Sequence, residues 1–286
     1  MSKTIYLLVG GEATRLKPLS EGIPKALLTV KGTSIIDLIL DNLEQAGFEK
    51  FKLICSIKHK EQWEQYQNQT TRSIELLFET EKLDTAGYIV QNIDAFEETF
   101  FCMNGDLLLD MDFETFISYI ENVSNSTICS VQVDNPSRFG VLHLDNEKVV
   151  NFIEKPDDLK YGNNISMGFY YIYKKDILKI KEYLNIPASF EKDVFPSLAQ
   201  NLLLDCYKVD GNMIDVGTRE SYIKAHTDIN DNWIAENVTL GLNTEIENSV
   251  VFENSQIGND VKISNAIILK DSVIPDGTII TKEIYK

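Results

Sequence analysis

Apolar residues over the first 130 positions follow two alternating patterns. Short continuous runs, TIYLLV (4–9), FKLICS (51–56), SIELLF (73–78), FFCMN (100–104) and STICSVQV (126–133), have the length and side chains of strands. Unbroken apolar character belongs to strands buried on both faces of a parallel sheet. Between them the apolar positions recur at helical intervals. SIIDLILDNLEQAG (34–47) carries them at 35, 36, 39, 40 and 43, with Ser34 placed to cap the start and Gly47 to stop the end. Helices are also expected over 59–67, 85–92 and 113–122. Such alternation requires crossover connections. It predicts an α/β fold with a Rossmann-like, mostly parallel sheet sandwiched by helices.

The texture changes after residue 139. FGVLHLDNEKVVNFIEKP reads as a hairpin turning at Asp145-Asn146, followed by a strand at 166–173, helices near 175–183 and 191–200, a strand at 202–209 and a helix at 221–228. From about 232 apolar residues recur every six positions: Ile234, Leu240, Ile246, Phe252, then after a one-residue slip Ile257, Ile263 and Leu269, with Pro275 in the same column. A second column holds Val238, Thr244, Val250, Val261, Ile267, Val273 and Ile279. A hexapeptide period builds a left-handed parallel β-helix with three short strands to a coil, and these hexads amount to fewer than three coils. An ordinary β-meander is the competing reading. The expected organisation is a domain over 1–230 and a short β-helix over 231–286.

The chain has 286 residues and a net charge of −17, which repels the phosphates of a nucleic acid at long range. No apolar run reaches the ~18 residues of a membrane span, and the N-terminal stretch has no leader pattern. Cys55, Cys102, Cys129 and Cys206 are far apart with no metal-type spacing. They read as buried thiols of a reducing, cytoplasmic compartment. One region departs from the acidic balance: residues 1–31 hold five Lys/Arg against two acids.

That basic start contains GGEATRLKPL (10–19) and PKALL (24–28). A loop leaving the carboxyl end of a first strand lies at the usual ligand crevice of an open α/β sheet. Glycines there allow backbone N–H groups to approach an anion; Arg15 can clamp phosphate oxygens in pairs and Lys25 acts as a point charge. A plain tight turn explains the glycines equally well. Neither the dinucleotide fingerprint nor the P-loop motif occurs. Asn104-Gly105-Asp106 ends a strand with a carboxylate suited to a hard divalent cation, or simply turns the chain. Asp215 precedes Val216-Gly217-Thr218 in the same manner, and Thr218 is also a helix cap. Glu154 and Lys155 end a hairpin strand. Neighbours on a strand point to opposite faces, so both reach one cleft only at a bulge or strand end.

Taken together these motifs resemble the sugar-1-phosphate nucleotidyltransferases, also called nucleotide-sugar pyrophosphorylases. GGEATRLKPL and PKALL are similar to the family's G-G-x-G-T-R-L-x-P-L and P-K-P/A-L/M. DTAG (84–87), NGD (104–106), FGV (139–141), FIEKP (152–156), EKDVFPSLA (191–199) and DVGTRESY (215–222) follow the family's order over residues 3 to about 228. A terminal β-helix is also frequent in that family, notably in its mannose-1-phosphate guanylyltransferases. Four positions depart from the pattern. Ala13 stands where glycine is usual, so positive φ is not expected there. Asp84 replaces the glycine of G-T-A-G. ISMGFY places Ser166 and Met167 where the family has Asn and Ala, which bears on sugar identity more than on catalysis.

The resemblance implies that an NTP and a sugar 1-phosphate give an NDP-sugar and pyrophosphate. It implies that Arg15, Lys25, Asp106 and Asp215 are catalytic, with Mg²⁺ between the two aspartates. Leu8, Gly10, Gly11, Thr14, Arg15, Thr85 and Gly87 would bind the nucleotide. Gly140, Glu154, Lys155 and Ser166 would bind the sugar phosphate. Mannose 1-phosphate with GTP is the first expectation, and thymidylyl or uridylyl transfer to glucose 1-phosphate the alternative. A non-catalytic regulatory paralogue usually loses the arginine, the lysine or a carboxylate, and all are present here. Acyl transfer by the β-helix normally needs a histidine in the coils, whereas His59, His143 and His226 lie outside the hexads. The expected partners are small molecules and further copies of this chain.

Overall fold

The computed structural model describes residues 3–157, 159–227 and 231–286. The chain divides into two compact units: the first comprises the chain up to Gly10, Ile39–Gly105 and Leu109–Met213, the second Gly11–Leu38, Asp106–Leu108 and Ile214–Lys286. Neither follows the chain continuously.

The first unit is built on a nine-stranded sheet. Its strands are β1 (Thr4–Leu8), β2 (Lys50–Ser56), β3 (Ile74–Glu79), β4 (Thr99–Asn104), β5 (Ser126–Gln132), β6 (Gly140–Asp145), β7 (Lys148–Glu154), β8 (Asn164–Tyr173) and β9 (Leu204–Lys208). The spatial order is β3-β2-β1-β4-β8-β5-β9-β7-β6. The predicted parallel sheet exists in its first half, where β3, β2, β1 and β4 run parallel. The second half corrects the expectation. The long strand β8 inserts antiparallel between β4 and β5, and the β6–β7 hairpin adds two more antiparallel pairings, β7 on β6 and β7 on β9. The sheet is therefore mixed: the β6–β7 hairpin and β8 bring antiparallel pairings, while β9 again runs parallel to β5.

Helices α1 (Ile35–Gln45) and α2 (Lys60–Gln69) flank β2 in the chain, and strand alternation explains why both faces of the sheet are covered. Cys102, Tyr170 and Ile172 share one buried cluster with Ile89 and Val90 of α3 (Gly87–Gln91), Ile177 and Ile180 of α5 (Lys174–Ile180), and Phe195 and Leu198 of α6 (Phe195–Gln200). Their strand neighbours Phe101 and Phe169 turn the other way and stack on Phe116 of α4 (Phe113–Ile120) and on Phe48 or Phe113. Each such ring, removed from water, stabilises the fold by about 1.5–3 kcal/mol before entropy is counted. The four cysteines are buried and free. The predicted helix at 191–200 is a π turn over Phe190–Val194 running into α6.

The second unit carries the short hairpin Thr29–Val30/Thr33–Ser34, turning at Lys31 and Gly32, both with positive φ. It also holds α7 (Arg219–His226), capped by Thr218 in a box with Ser221. The helix predicted to reach 228 ends at His226; Asp228 and the expected boundary at residue 230 lie outside the described residues.

From Trp233 onward the chain coils. Trp233, Val250, Ile267 and Ile284 pair in parallel register, as do Thr239, Gln256 and Val273, and Glu245, Lys262 and Ile279. The repeat is 17 residues, not three hexads, since one side of each coil is a residue short. Residues 233–283 therefore complete three coils rather than fewer. Val251, Ile257, Ile263, Ile268, Ile274 and Ile280 fill the interior. The second predicted column is divided: Val250, Val261 and Ile267 are buried, whereas Val273 and Ile279 are 64% and 72% exposed. Asn237, Asn243, Asn248, Asn254, Asp260, Asn265 and Asp271 occupy the corners with positive φ, a conformation these side chains tolerate best after glycine. Among the described residues no helix is long and apolar enough to cross a membrane.

Candidate active site

In the second unit, four predicted side chains meet. Lys25 opens a 3₁₀ turn over Lys25–Leu27 after Pro24. Its ammonium lies 2.5 Å from Asp106 Oδ2 and 3.3 Å from Asp215 Oδ1. The lysine side chain is only 9% exposed, the two carboxylates 36% and 28%. The segments are tied together by backbone as well, since Val216 N–H donates to the Asp106 carbonyl at 3.0 Å. Gly217 closes the group. A Cβ there would lie 2.7 Å from Asp215 Oδ1, 3.0 Å from Arg15 Nη2 and 3.0 Å from Lys25 Nζ. Two cations and a carboxylate thus pack against this glycine, leaving no room for a side chain there.

Tyr222 supports the arrangement. It is fully buried on α7, and its hydroxyl donates to the Thr29 carbonyl, four residues beyond Lys25. Neither Gly217 nor Tyr222 stood out in the sequence as a site residue. Both belong to the DVGTRESY motif, which was the available signal.

Asp106 and Asp215 fit Mg²⁺ in kind. A hard cation of this size takes one or two protein carboxylates and completes its shell with water and phosphate oxygens. Among the described residues no group of three or more acidic, histidine or cysteine side chains could hold a metal by itself, so the donors suit an ion that shares its shell with a substrate.

Gly11, Thr14 and Arg15 are exposed in the second unit. Neither Gly10 nor Gly11 has positive φ, and a Cβ on Gly11 would touch nothing. Ala13 has φ −81°, consistent with the substitution there.

The first unit holds the remaining predicted residues. Leu8 ends β1, in register with Ile54 and Asn104. At Gly10 a Cβ would lie 3.0 Å from Glu79 Oε2. Burial, with Asp84 nearby, pushes the Glu79 carboxyl up to about 7. Asp84 has φ 64° and accepts from the Thr85 N–H at 3.1 Å, which explains how aspartate replaces a glycine at that point. The Thr85 hydroxyl donates to Glu191 Oε2 at 2.7 Å and accepts from Phe190 N–H at 2.9 Å. Gly87 has a packing reason, since a Cβ would meet Leu83 Cβ at 2.8 Å.

Gly140 pairs with Glu154 across the β6–β7 hairpin, and a Cβ at 140 would strike the Phe152 ring at 2.3 Å. Lys155 follows the strand end with φ 48° and its ammonium reaches Glu154 Oε1 at 2.5 Å. That left-handed residue lets adjacent side chains share one side despite strand alternation. Ser166 Oγ accepts from Gly168 N–H at 3.2 Å within the β8 bulge.

Comparison with known proteins gives two overlapping family matches. Residues 5–232 match the family model described as nucleotidyl transferase, and residues 204–285 match that described as GlmU-like, C-terminal hexapeptide. A mannose-1-phosphate guanylyltransferase catalytic subunit beta from Drosophila pseudoobscura pseudoobscura is 32% identical over 225 residues, covering 76% of this chain and 60% of the relative. The chain thus spans about 60% of the length of the curated relatives it matches. The crystal structure of HddC from Yersinia pseudotuberculosis superposes with TM-score 0.66 at 28% identity, over 78% of this chain and 97% of HddC. The same protein complexed with GMP-PN gives TM-score 0.65.

Proposed function

The chain belongs to the nucleotidyl transferase family, and from that premise we propose that it transfers a nucleotidyl group from an NTP to a sugar 1-phosphate, releasing pyrophosphate. The observation that carries this reading is the convergence of Lys25, Asp106, Asp215 and Arg15 around Gly217. GTP and mannose 1-phosphate are the proposed substrates. The names of the curated relatives and the GMP-PN complex of HddC support that choice.

A phosphate oxygen of the sugar 1-phosphate attacks the α-phosphorus in line. The new O–P bond forms as the bond to the β-phosphate oxygen breaks, and pyrophosphate leaves. The nucleophile is already anionic, so no general base is needed. The protein's work is positioning and charge neutralisation. Arg15 clamps phosphate oxygens in pairs, assisted by Thr14 and the backbone of Gly10 and Gly11. Lys25 offsets charge on the reacting phosphates. Mg²⁺, held by Asp106 and Asp215, supplies Lewis-acid charge stabilisation when bound. Leu8, Thr85 and Gly87 are assigned to the base. Lys155 is assigned to the sugar phosphate, and Glu154 to sugar hydroxyls with Gly140 and Ser166 beside it. Residues 1–230 form the transferase domain in this reading, and 231–286 a left-handed β-helix concerned with self-association.

The test is a substrate matrix: the purified protein, Mg²⁺, each common NTP and several hexose 1-phosphates, with pyrophosphate measured. Release with GTP and mannose 1-phosphate above all other pairs supports the full reading. Release with another pair retains the reaction and replaces the substrates.

A further inference from the structure

Two carboxylates that would hold a metal ion are already bridged by the protein's own cation. Mg²⁺ binds carboxylate oxygens at about 2.0–2.1 Å, and the Lys25 ammonium sits 2.5 and 3.3 Å from one oxygen of each aspartate. Ammonium and divalent cation therefore compete for one place. Their mutual repulsion over such a distance also opposes joint occupancy. We propose that Lys25 is a resident stand-in for the metal: in the free protein it closes the Asp106/Asp215 site, a metal ion enters by displacing it, and displacement is easiest when the metal arrives on a nucleotide whose phosphates give the ammonium new partners. This rests on the metal assignment made under the proposed function.

Three features favour exchange over simple coexistence. The lysine is nearly buried, so its charge needs a partner in either state. No third carboxylate, histidine or cysteine accompanies the two aspartates among the described residues, so a bare ion gains little for displacing the lysine. The lack of a side chain at Gly217 lets Lys25 Nζ, Arg15 Nη2 and Asp215 Oδ1 pack against one backbone position, so a phosphate held by Arg15 would lie within reach of the ammonium. The protein therefore discriminates against free metal and accepts the metal–nucleotide complex. Lys25 moves from the carboxylates to the phosphates at the moment when it is needed there.

The experiment is titration with Mn²⁺ alone, followed by electron paramagnetic resonance, on the nucleotide-free wild type and Lys25→Met. Methionine retains the apolar stem and removes the charge. Loss of the competing cation should tighten Mn²⁺ binding about tenfold or more, although the same variant loses turnover. Equal or weaker binding by Lys25→Met overturns the exchange. If Mn²⁺ binding persists when Asp106→Asn is added, the metal assignment itself is wrong and the exchange fails with it. Should Lys25→Met not fold, the wild type decides. Reductive methylation of Lys25, read by mass spectrometry, should be slow without metal and faster in saturating Mg²⁺ alone. An unchanged or slower rate with Mg²⁺ contradicts the proposal.

Discussion

The Lys25 ammonium and the Asp106 carboxylate are 2.5 Å apart, although 81 residues of chain separate them. The pair joins the basic start of the chain to the Asn104-Gly105-Asp106 turn. Beside Lys25 the space at Gly217 is too narrow for a side chain.

That space is the first point to test. Gly217→Ala should lower kcat/KM by about 10², the scale of a misplacement of roughly 1 Å, because the new Cβ would sit within 3.0 Å of Asp215, Arg15 and Lys25. Gly217 is not among the residues with positive φ, so backbone strain does not accompany the change. The melting temperature should stay close to wild type. Normal turnover in this variant would show that the three groups are not used in this arrangement.

His226 predicts a pH-dependent stability. It is buried, its Nδ1 pairs with the Tyr222 carbonyl at 2.9 Å, and its ring packs on Trp233 and Phe252. Burial, opposed by that hydrogen bond and aided by Lys31, lowers its pKa from 6.5 to about 4. The unfolded chain then takes up a proton below pH 6.5 that the folded chain refuses. Stability is full above 6.5 and declines towards pH 4, by about 3 kcal/mol in all. Denaturant unfolding at pH 7 and pH 4.5 should show this loss, and His226→Phe should reduce it.

Glu79 acts in the opposite direction. Its carboxyl is raised from 4.5 to about 7, so the folded chain holds a proton that the unfolded chain releases. This contribution is present below 4.5 and disappears as pH rises through 7. Glu79→Gln should therefore flatten the fall in stability between these limits. A variant with an unchanged pH profile would place Glu79 in contact with solvent.

The coiled segment predicts association. Its first coil leaves Ile234 and Leu240 40% and 47% exposed, whereas the column residues Ile257 and Ile263 of the next coil are buried. Strand edges and apolar side chains at an open end invite a second chain. Light scattering of the full chain should give at least a dimer mass, and Leu240→Glu should lower it. A monomer at micromolar concentration would limit the coils to a structural role.

Much of this was legible in local pattern. Continuous apolar runs located β1 to β5, because buried strands leave few polar positions. The antiparallel insertion of β8 was not legible, since its partners β4 and β5 are chosen by tertiary packing and not by its own alternation. The 17-residue coil was misread as hexads because the missing residue falls at corners, where only the Asn/Asp series marks it. At the site, charged residues announced themselves by type. Gly217 did not, because its role is the absence of a side chain, and Tyr222 acts through a hydroxyl on a backbone carbonyl far along the chain.

The most direct measurement is pyrophosphate release from GTP and mannose 1-phosphate by the wild type, Lys25→Met and Asp106→Asn, each with Mg²⁺ and with chelator. The wild type should release pyrophosphate only with metal, Lys25→Met should lose about 10²–10³ in kcat/KM, and Asp106→Asn at least as much. Metal-independent release, or wild-type rates in either variant, would rule out the two-aspartate, one-lysine site.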